Sequence, residues 1–539
     1  MTPYRPTLRG GALVLAVAVF LLAFANRRFW QVAFAGLPAG ALAQIEFVAG
    51  FGAVLLALIL VVLLPLAFGR LLKPWLVLVL LLSSVAAFFM HDYGAVVDRF
   101  ALQSVAETDL REAGEWLSGR AVMSLLLLGV LPAALVLWVR VPARPVRAQL
   151  VGWLKLAGLA AALLVFGVAI GGREIASTVR NHKQLRYLMN PVSLVSAALS
   201  WHAARGDATP VAVQPLGRDA RRAGAMAPGD RPLVLVLVVG ESARAQSFQL
   251  DGYARPTNPE LSRLPVINFP DVRSCGTNTA VSLPCMFSDL GRADYAQDAA
   301  AGRENLLDVL AHAGFRVDWY DNNTGSKGVA ARAREELLAE LQDPRYCTYG
   351  CWDGLLVDRL RQELAKTRDD RVIVLHTKGS HGPAYYLRYP PAFERFRPAC
   401  RSNELTRCTR AGILNAYDNT ILYTDHVIAT AIAALAARGG MDSALLYVSD
   451  HGESTGEHGL YLHGAPYLLA PDEQTRVPML LWLSDGFRAR RGLDPACLQR
   501  ARLRPASHDN LFDLVLGLAG VRSTAYRARL DPFAGCAAR

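Results

Sequence analysis

The sequence predicts an N-terminal α-helical transmembrane domain of five spans followed by a C-terminal α/β domain, and three observations carry that prediction. The 539 residues are 52% hydrophobic and only 19% charged, too apolar for an ordinary soluble chain of this size. Apolar runs of spanning length crowd the first 171 residues. Beyond them lie all eight cysteines, among short β-branched and leucine runs that alternate with helical segments.

The runs occupy about 10–26, 47–69, 72–90, 121–139 and 150–171, each close to the roughly 20 residues that cross a hydrocarbon core. Five crossings put the termini on opposite sides. Arg5, Arg9, Arg70, Lys73, Arg140, Arg144 and Arg147 fall on one side, and Arg27, Arg28, Arg99, Arg111 and Arg120 on the other. The N-terminus is therefore predicted inside and everything after residue 171 outside. An alternative for the first run is a cleaved signal peptide with Ala23-Phe24-Ala25 as its cleavage site; it leaves the remaining topology unchanged.

The outer loop 91–120 holds six of the seven acidic residues of this half, and its stretch 103–117 has apolar residues at helical intervals. It reads either as a solvated connecting helix or as part of a lipid-binding surface. Residues 172–230 form a connector: an amphipathic interfacial helix near 182–204, then a linker rich in Pro, Gly, Ala and Arg. The domains are thus 1–171, 172–230 and 231–539.

The net charge of +11 divides as +6 before residue 172 and +5 after it. Neither half carries a dense basic block, which argues against a nucleic-acid partner and for membrane topology. The cysteines form sequence-near pairs, Cys275/Cys285, Cys347/Cys351, Cys400/Cys408 and Cys497/Cys536, as expected in an oxidising compartment. Eight cysteines allow 105 connectivities. The Cys347-x3-Cys351 spacing has a zinc-knuckle alternative, but no second knuckle accompanies it.

In the outer half, residues 233–239, 372–375 and 445–448 read as strands buried on both faces of a parallel sheet. Helices are expected over 304–314, 329–343 and 416–437. In such sheets sites form beyond the carboxyl ends of strands, and Glu241, His376, Asp450 and His451 stand there. Two carboxylates and an imidazole at two strand ends make a donor set that zinc accepts. Segment 274–288 places Thr277 and Thr279 before a helix start, where unpaired amides stabilise an alkoxide or a phosphate. A threonine hydroxyl needs a metal or base to become a nucleophile.

With those residues in view, the chain resembles the lipid A phosphoethanolamine transferases of the alkaline phosphatase superfamily, a family that includes colistin-resistance enzymes. The matching pieces are GESAR (240–244), SCGTNTAVSLPCMFS (274–288), NNTGSKG (322–328), LHTKGSHGPAYYLRYP (375–390), CRSNELTRC (400–408) and SDHGESTGEHGLYLHGAPY (449–467). The resemblance implies an alkaline-phosphatase/sulfatase-like outer domain, periplasmic, on an inner-membrane anchor. It implies zinc held by Glu241, Thr279, Asp450 and His451, with Thr279 also the nucleophile and Thr277 its competitor. Lys327, His376, His381 and His463 fall to the phosphoryl group, and His381 and His463 also to a second zinc.

Cys275/Cys285, Cys347/Cys351 and Cys400/Cys408 match positions that the family pairs as disulfides, while Cys497 and Cys536 lie outside the matched motifs. Thr108 and Glu112 match the family's lipid-contacting helix; Ser104 stands where an Asn is usual. Glu453 either orients a ligand or caps a turn. The implied reaction carries phosphoethanolamine from phosphatidylethanolamine to lipid A by a monomeric enzyme. The rivals are transfer to a core sugar or other glycan, a lipoteichoic-acid-type glycerophosphotransferase, and a non-catalytic scaffold. A sulfatase is disfavoured, because no C/S-x-P-x-R run surrounds Thr279.

Overall fold

The computed structural model describes residues 5–35, 37, 40–108, 110–205, 213–223 and 231–537, without the side chains of 110–112 and 204–205. The chain forms two units. One comprises Met1–Ala106 with Trp116–Gly206, the other Glu107–Glu115 with Asp207–Arg539.

Among the described residues of the first unit four helical stretches are long and apolar enough to cross a membrane: Ala41–Leu63, Gly69–Asp92, Gly119–Trp138 and Val146–Asn181. A fifth candidate is the pair Gly10–Ala25 and Arg27–Phe34, bent by 58°. The bend sits at Asn26, whose Nδ2 donates to the Leu21 carbonyl at 2.9 Å and to Asn190 O at 2.6 Å, while Asn190 N donates back to Asn26 Oδ1 at 2.9 Å. These bonds satisfy polar groups that would otherwise be costly to bury.

The second span begins and ends about six residues earlier than the apolar run suggests. Leu64 keeps helical geometry and its amide still donates to Leu60 O at 2.9 Å, but Pro65 has no amide to continue the ladder, so the helix stops there although the apolar sequence continues. The last helix has 36 residues, about 54 Å at 1.5 Å each, so residues 172–181 continue it rather than opening a connector. It approaches the second span at glycines: a Cβ on Gly167 would lie 2.6 Å from Gly50 O, the close backbone packing that small residues permit in membranes. The outer loop is helical over Arg99–Glu107 and Leu110–Glu115.

The second unit is built on a seven-stranded sheet. Its strands are β1 (Leu233–Gly240), β2 (Ile267–Phe269), β3 (Arg316–Asp321), β4 (Arg334–Leu337), β5 (Arg371–His376), β6 (Asp442–Ser449) and β7 (Met479–Leu483), in the order β2-β7-β6-β1-β5-β3-β4. The five strands from β6 to β4 are parallel, and β7 runs antiparallel to both its neighbours. All eight residues of β1 and of β6 are buried, which explains their unbroken apolar sequence.

Helices α1 (Thr279–Phe287), α2 (Leu306–His312) and α5 (Leu511–Ala519) cover one face, packing with Leu235, Leu237 and Val239 of β1. Helices α3 (Gly354–Lys366) and α4 (Arg410–Ala436) cover the other. Part of the expected linker joins this unit: Arg221–Arg222 pair with Val521–Arg522, and Leu216 and Ala220 enter the core.

The helix expected over 329–343 is not formed. Residues 334–337 instead make β4, in parallel register with β3, followed by a 3-10 turn at Leu338–Leu341. Helix propensities differ by only a few tenths of a kcal/mol per residue. Here the ladder bonds, the Ser326 amide on Glu335 Oε1 (2.7 Å) and the Arg359–Glu336 ion pair decide against the helix.

Candidate functional site

The site grows from the strand register. Gly240 of β1 lies opposite Ser449 of β6, Val239 opposite His376 of β5, and His376 opposite Asp321 of β3, so four carboxyl ends finish at one level. The next residues along β1 and β6 are Glu241, Asp450 and His451, all fully buried, with one ligand atom each inside a 4.8 Å group. Ser242 turns the chain sharply, at φ 57°. Its amide donates to Asp450 Oδ1 (3.2 Å) and its hydroxyl to Glu241 Oε1 (2.7 Å).

Thr279 is the first residue of α1, behind an N-cap in which Asn278 Oδ1 accepts the Val281 amide at 3.0 Å. Its hydroxyl donates to Glu241 Oε2 at 2.9 Å and lies 3.3 Å from His451 Nε2. Thr277, the competing hydroxyl, donates to the Ala465 carbonyl at 2.7 Å.

These donors fit a divalent cation. His451 Nδ1 is 3.0 Å from the Gly452 carbonyl, to which it donates, leaving the Nε2 lone pair 3.4 Å from both Glu241 and Asp450. Asp450 Oδ2 is buried without a hydrogen-bond partner. Two buried carboxylates and an imidazole lone pair converging on one point match a metal ligand set whose imidazole tautomer is fixed from behind. Burial pushes Glu241 up, but the imidazoles of His451, His381 and His463 outweigh it and hold the carboxyl below its ordinary range. Burial and the Glu241 charge push Asp450 up.

Around this group stand the other expected residues. The His463 ring centroid is 4.4 Å from that of His451 and 5.4 Å from that of His381. His463 Nδ1 meets Glu453 Oε2 at 2.7 Å, and Glu453 Oε1 accepts the Tyr385 hydroxyl at 2.7 Å; Glu453 therefore orients His463. Burial lowers the imidazole, yet the Glu453 carboxylate carries it up to about 9. His376 Nδ1 lies 2.7 Å from Asp321 Oδ2, and that contact outweighs burial and raises the ring.

Lys327, in a left-handed conformation at φ 51°, pairs with Glu107 at 3.3 Å, a residue of the same unit. Ser104 and Thr108 are half-buried in and after the Arg99–Glu107 helix, and the Glu112 side chain lies outside the described residues. Four disulfides join Cys275–Cys285, Cys347–Cys351, Cys400–Cys408 and Cys497–Cys536.

Sequence reasoning missed several contributors. Asn323 Nδ2 donates to Glu241 Oε2 at 2.7 Å and lies 3.3 Å from His376 Nε2; its Oδ1 accepts from Lys378 Nζ at 3.3 Å. Asp353 accepts the amides of Lys378 (2.7 Å) and Gly379 (2.9 Å) and the Asn322 side chain (2.8 Å), shaping the loop that carries His381. The available signal was position: Asn323 stands two residues beyond β3 and Lys378 two beyond β5.

Comparison with known proteins agrees with both halves. Residues 234–521 match the family described as Sulfatase, and residues 55–205 that described as Phosphoethanolamine transferase EptA/EptB. The chain is 38% identical to phosphoethanolamine transferase EptA of Salmonella typhimurium, over 99% of this chain and 98% of that protein. It is 37% identical to phosphatidylethanolamine transferase Mcr-1 of Escherichia coli, over 89% and 90%. Among solved structures, the integral membrane lipooligosaccharide phosphoethanolamine transferase A of Neisseria meningitidis superposes with a TM-score of 0.95 at 34% identity, covering 99% of this chain and all of that one. With both its helical and its α/β halves matched along full-length relatives, the chain belongs to the phosphoethanolamine transferases of the alkaline phosphatase superfamily.

Proposed function

We propose that this transferase moves phosphoethanolamine from phosphatidylethanolamine to a phosphate of lipid A through a covalent intermediate on Thr279. The observation that carries the reading is the Thr279 hydroxyl, held within 3.3 Å of His451 and 2.9 Å of Glu241 inside the metal-ligand group. Zinc is the ion we assign to Glu241, Asp450, His451 and Thr279; when bound it supplies a Lewis acid that makes a hydroxyl acidic near neutral pH.

Glu241 orients the Thr279 hydroxyl by accepting its hydrogen. The Thr279 oxygen forms a bond to the donor phosphorus as the bond to the diacylglycerol oxygen breaks, and the threonine proton leaves with diacylglycerol. The amides opening α1, with Lys327, His381 and His463, balance charge on the phosphoryl oxygens, since phosphoryl transfer depends chiefly on positioning and neutralisation. An oxygen of a monoprotonated lipid A phosphate then forms the bond to phosphorus as the bond to the Thr279 oxygen breaks, and the proton released by that phosphate passes to Thr279. Glu453, by holding His463, keeps that cation in place.

Both reactants are lipids, and an enzyme with membrane spans in the same chain can meet them at the bilayer. We assign five spans in the inner membrane with the N-terminus cytoplasmic, the α/β unit periplasmic, a monomer, and Ser104, Thr108 and Glu112 to lipid contact. The added ammonium offsets lipid A charge and weakens attraction for cationic peptides such as polymyxin. Mass spectrometry of lipid A from cells expressing the protein tests the reading. A phosphoethanolamine mass on lipid A is expected with the wild type and Thr279→Ser, and none with Thr279→Ala. The mass on a core sugar would replace the acceptor, and full transfer by Thr279→Ala would refute the nucleophile.

A further inference from the structure

We infer that His508 is a positioning residue of this site: its ring clamps the loop that delivers Thr279 to the strand end that delivers Asp450 and His451. The inference rests on the transferase reading above. His508 comes from far along the chain, opening the turn His508–Asn510 that leads into α5, and is 2% exposed. Its Nδ1 accepts the Cys275 amide at 3.1 Å, and its Nε2 donates to the Ser449 carbonyl at 2.9 Å. Cys275 precedes Thr279 by four residues, and Ser449 precedes Asp450 by one.

One rigid ring therefore fixes the spacing of two backbone segments whose side chains must meet around the metal. Ser282 closes the same bridge from α1: its hydroxyl donates to the Asp450 carbonyl, accepts the Gly276 amide at 3.2 Å and lies 3.3 Å from His508 Nδ1. The ring is itself immobilised. Ser507 and Asn510 form a reciprocal cap around its turn, and Asp509 Oδ1 accepts the Arg292 amide at 2.8 Å. Accepting at Nδ1 and donating at Nε2 is the pattern of one neutral tautomer, and burial keeps the ring neutral, with its pKa down to about 4. His508 has no ligand-facing task in the reaction above. Its two ring nitrogens are both spent on the alignment of other residues.

The two contacts can be removed separately. His508→Asn keeps an acceptor near the Cys275 amide and loses the donor to Ser449; His508→Gln keeps the donor and loses the acceptor. Purified full-length variants are assayed for diacylglycerol release from fluorescent phosphatidylethanolamine in mixed micelles, with Tm measured alongside. Because a displacement of about 1 Å costs on the order of 100-fold in rate, each variant is expected to lose about 10- to 100-fold in kcat with KM for the donor unchanged. A purely structural role predicts a lower Tm with normal kcat per folded molecule, and kcat within about twofold of wild type in both variants would overturn the inference. If the His508 variants do not accumulate, Ser282→Ala is read in the same way: lost kcat at unchanged KM supports the clamp, and unchanged kcat overturns it. Absence of donor turnover in the wild type would instead refute the transferase reading.

Discussion

Removing the Asn323 side chain should weaken zinc binding at the proposed site without touching a residue assigned as a ligand. Its Nδ2 donates at 2.7 Å to Glu241 Oε2, the same oxygen that receives the Thr279 hydroxyl, and Glu241 is fully buried. A hydrogen bond to a charged group contributes about 1.5–3 kcal/mol. At about 1.4 kcal/mol per decade, losing it converts to an expected 10- to 100-fold rise in zinc Kd for Asn323→Ala, the range typical of groups that orient metal ligands. The measurement is competition between the purified full-length protein and a chromophoric chelator, with the Tm of the metal-free protein as the control for folding. Asn323→Asp should bind zinc no better than the alanine variant, because it sets a second carboxylate against Glu241 while still accepting from Lys378. A zinc Kd within about twofold of wild type in Asn323→Ala would refute the view that this amide orients Glu241.

Other consequences can be measured. His508 titrates near 4 when folded against about 6.5 when unfolded, so the unfolded chain takes up a proton first as pH falls. Its stabilisation is complete above about pH 6.5 and is lost progressively towards pH 4; between pH 7.5 and 5 the loss is about 2 kcal/mol. Denaturant midpoints should therefore fall more steeply with acidification in the wild type than in His508→Gln, and equal slopes would contradict it. The Cys497–Cys536 bridge closes a separation of 39 residues, which corresponds to about 4 kcal/mol in the chain-entropy account. The Cys497→Ser/Cys536→Ser protein should unfold at correspondingly lower denaturant, and a change below about 1 kcal/mol would show that the Asp494 amide on Cys536 O (2.9 Å) and the surrounding core hold that corner alone.

The parts of the fold that were legible in sequence are those where burial is symmetric. β1, β5 and β6 are covered on both faces and read as unbroken apolar runs. β3, RVDWYD, mixes charged residues with apolar and aromatic ones, because Asp318 pairs with Arg371 and Asp321 holds His376, so its strand character lies in partners that are distant in sequence. β4, REEL, carries helix-favouring residues on an edge strand. The end of the second span depended on Pro65, a local stereochemical stop inside an apolar run.

Glu241, Asp450 and His451 stood out in sequence because strand ends mark them. Asn323 and Asp353 did not, since each acts on residues 25 to 82 positions away. His508 gave no signal at all, because its task is to hold two backbone segments that only the fold brings together.

The shared level of the strand ends has a consequence for how such an enzyme can change. Neighbouring strands in a sheet sit about 4.8 Å apart, and a slip of one residue turns every side chain to the opposite face. The spacing between Glu241 and the Asp450–His451 pair is thus inherited from the β1–β6 ladder, whose eight rungs run from Leu233 opposite Asp442 to Gly240 opposite Ser449. The segments that leave the sheet after these ends, 453–475 and 378–408, carry Glu453, His463 and His381, so the groups around the ligands depend on loops while the ligand spacing depends on the ladder. Deleting one residue within β1 or β6 would shift the ladder and separate the ligands. The ligand spacing is therefore fixed by the sheet, and a change of loop sequence acts on the surrounding imidazoles before it acts on the ligands.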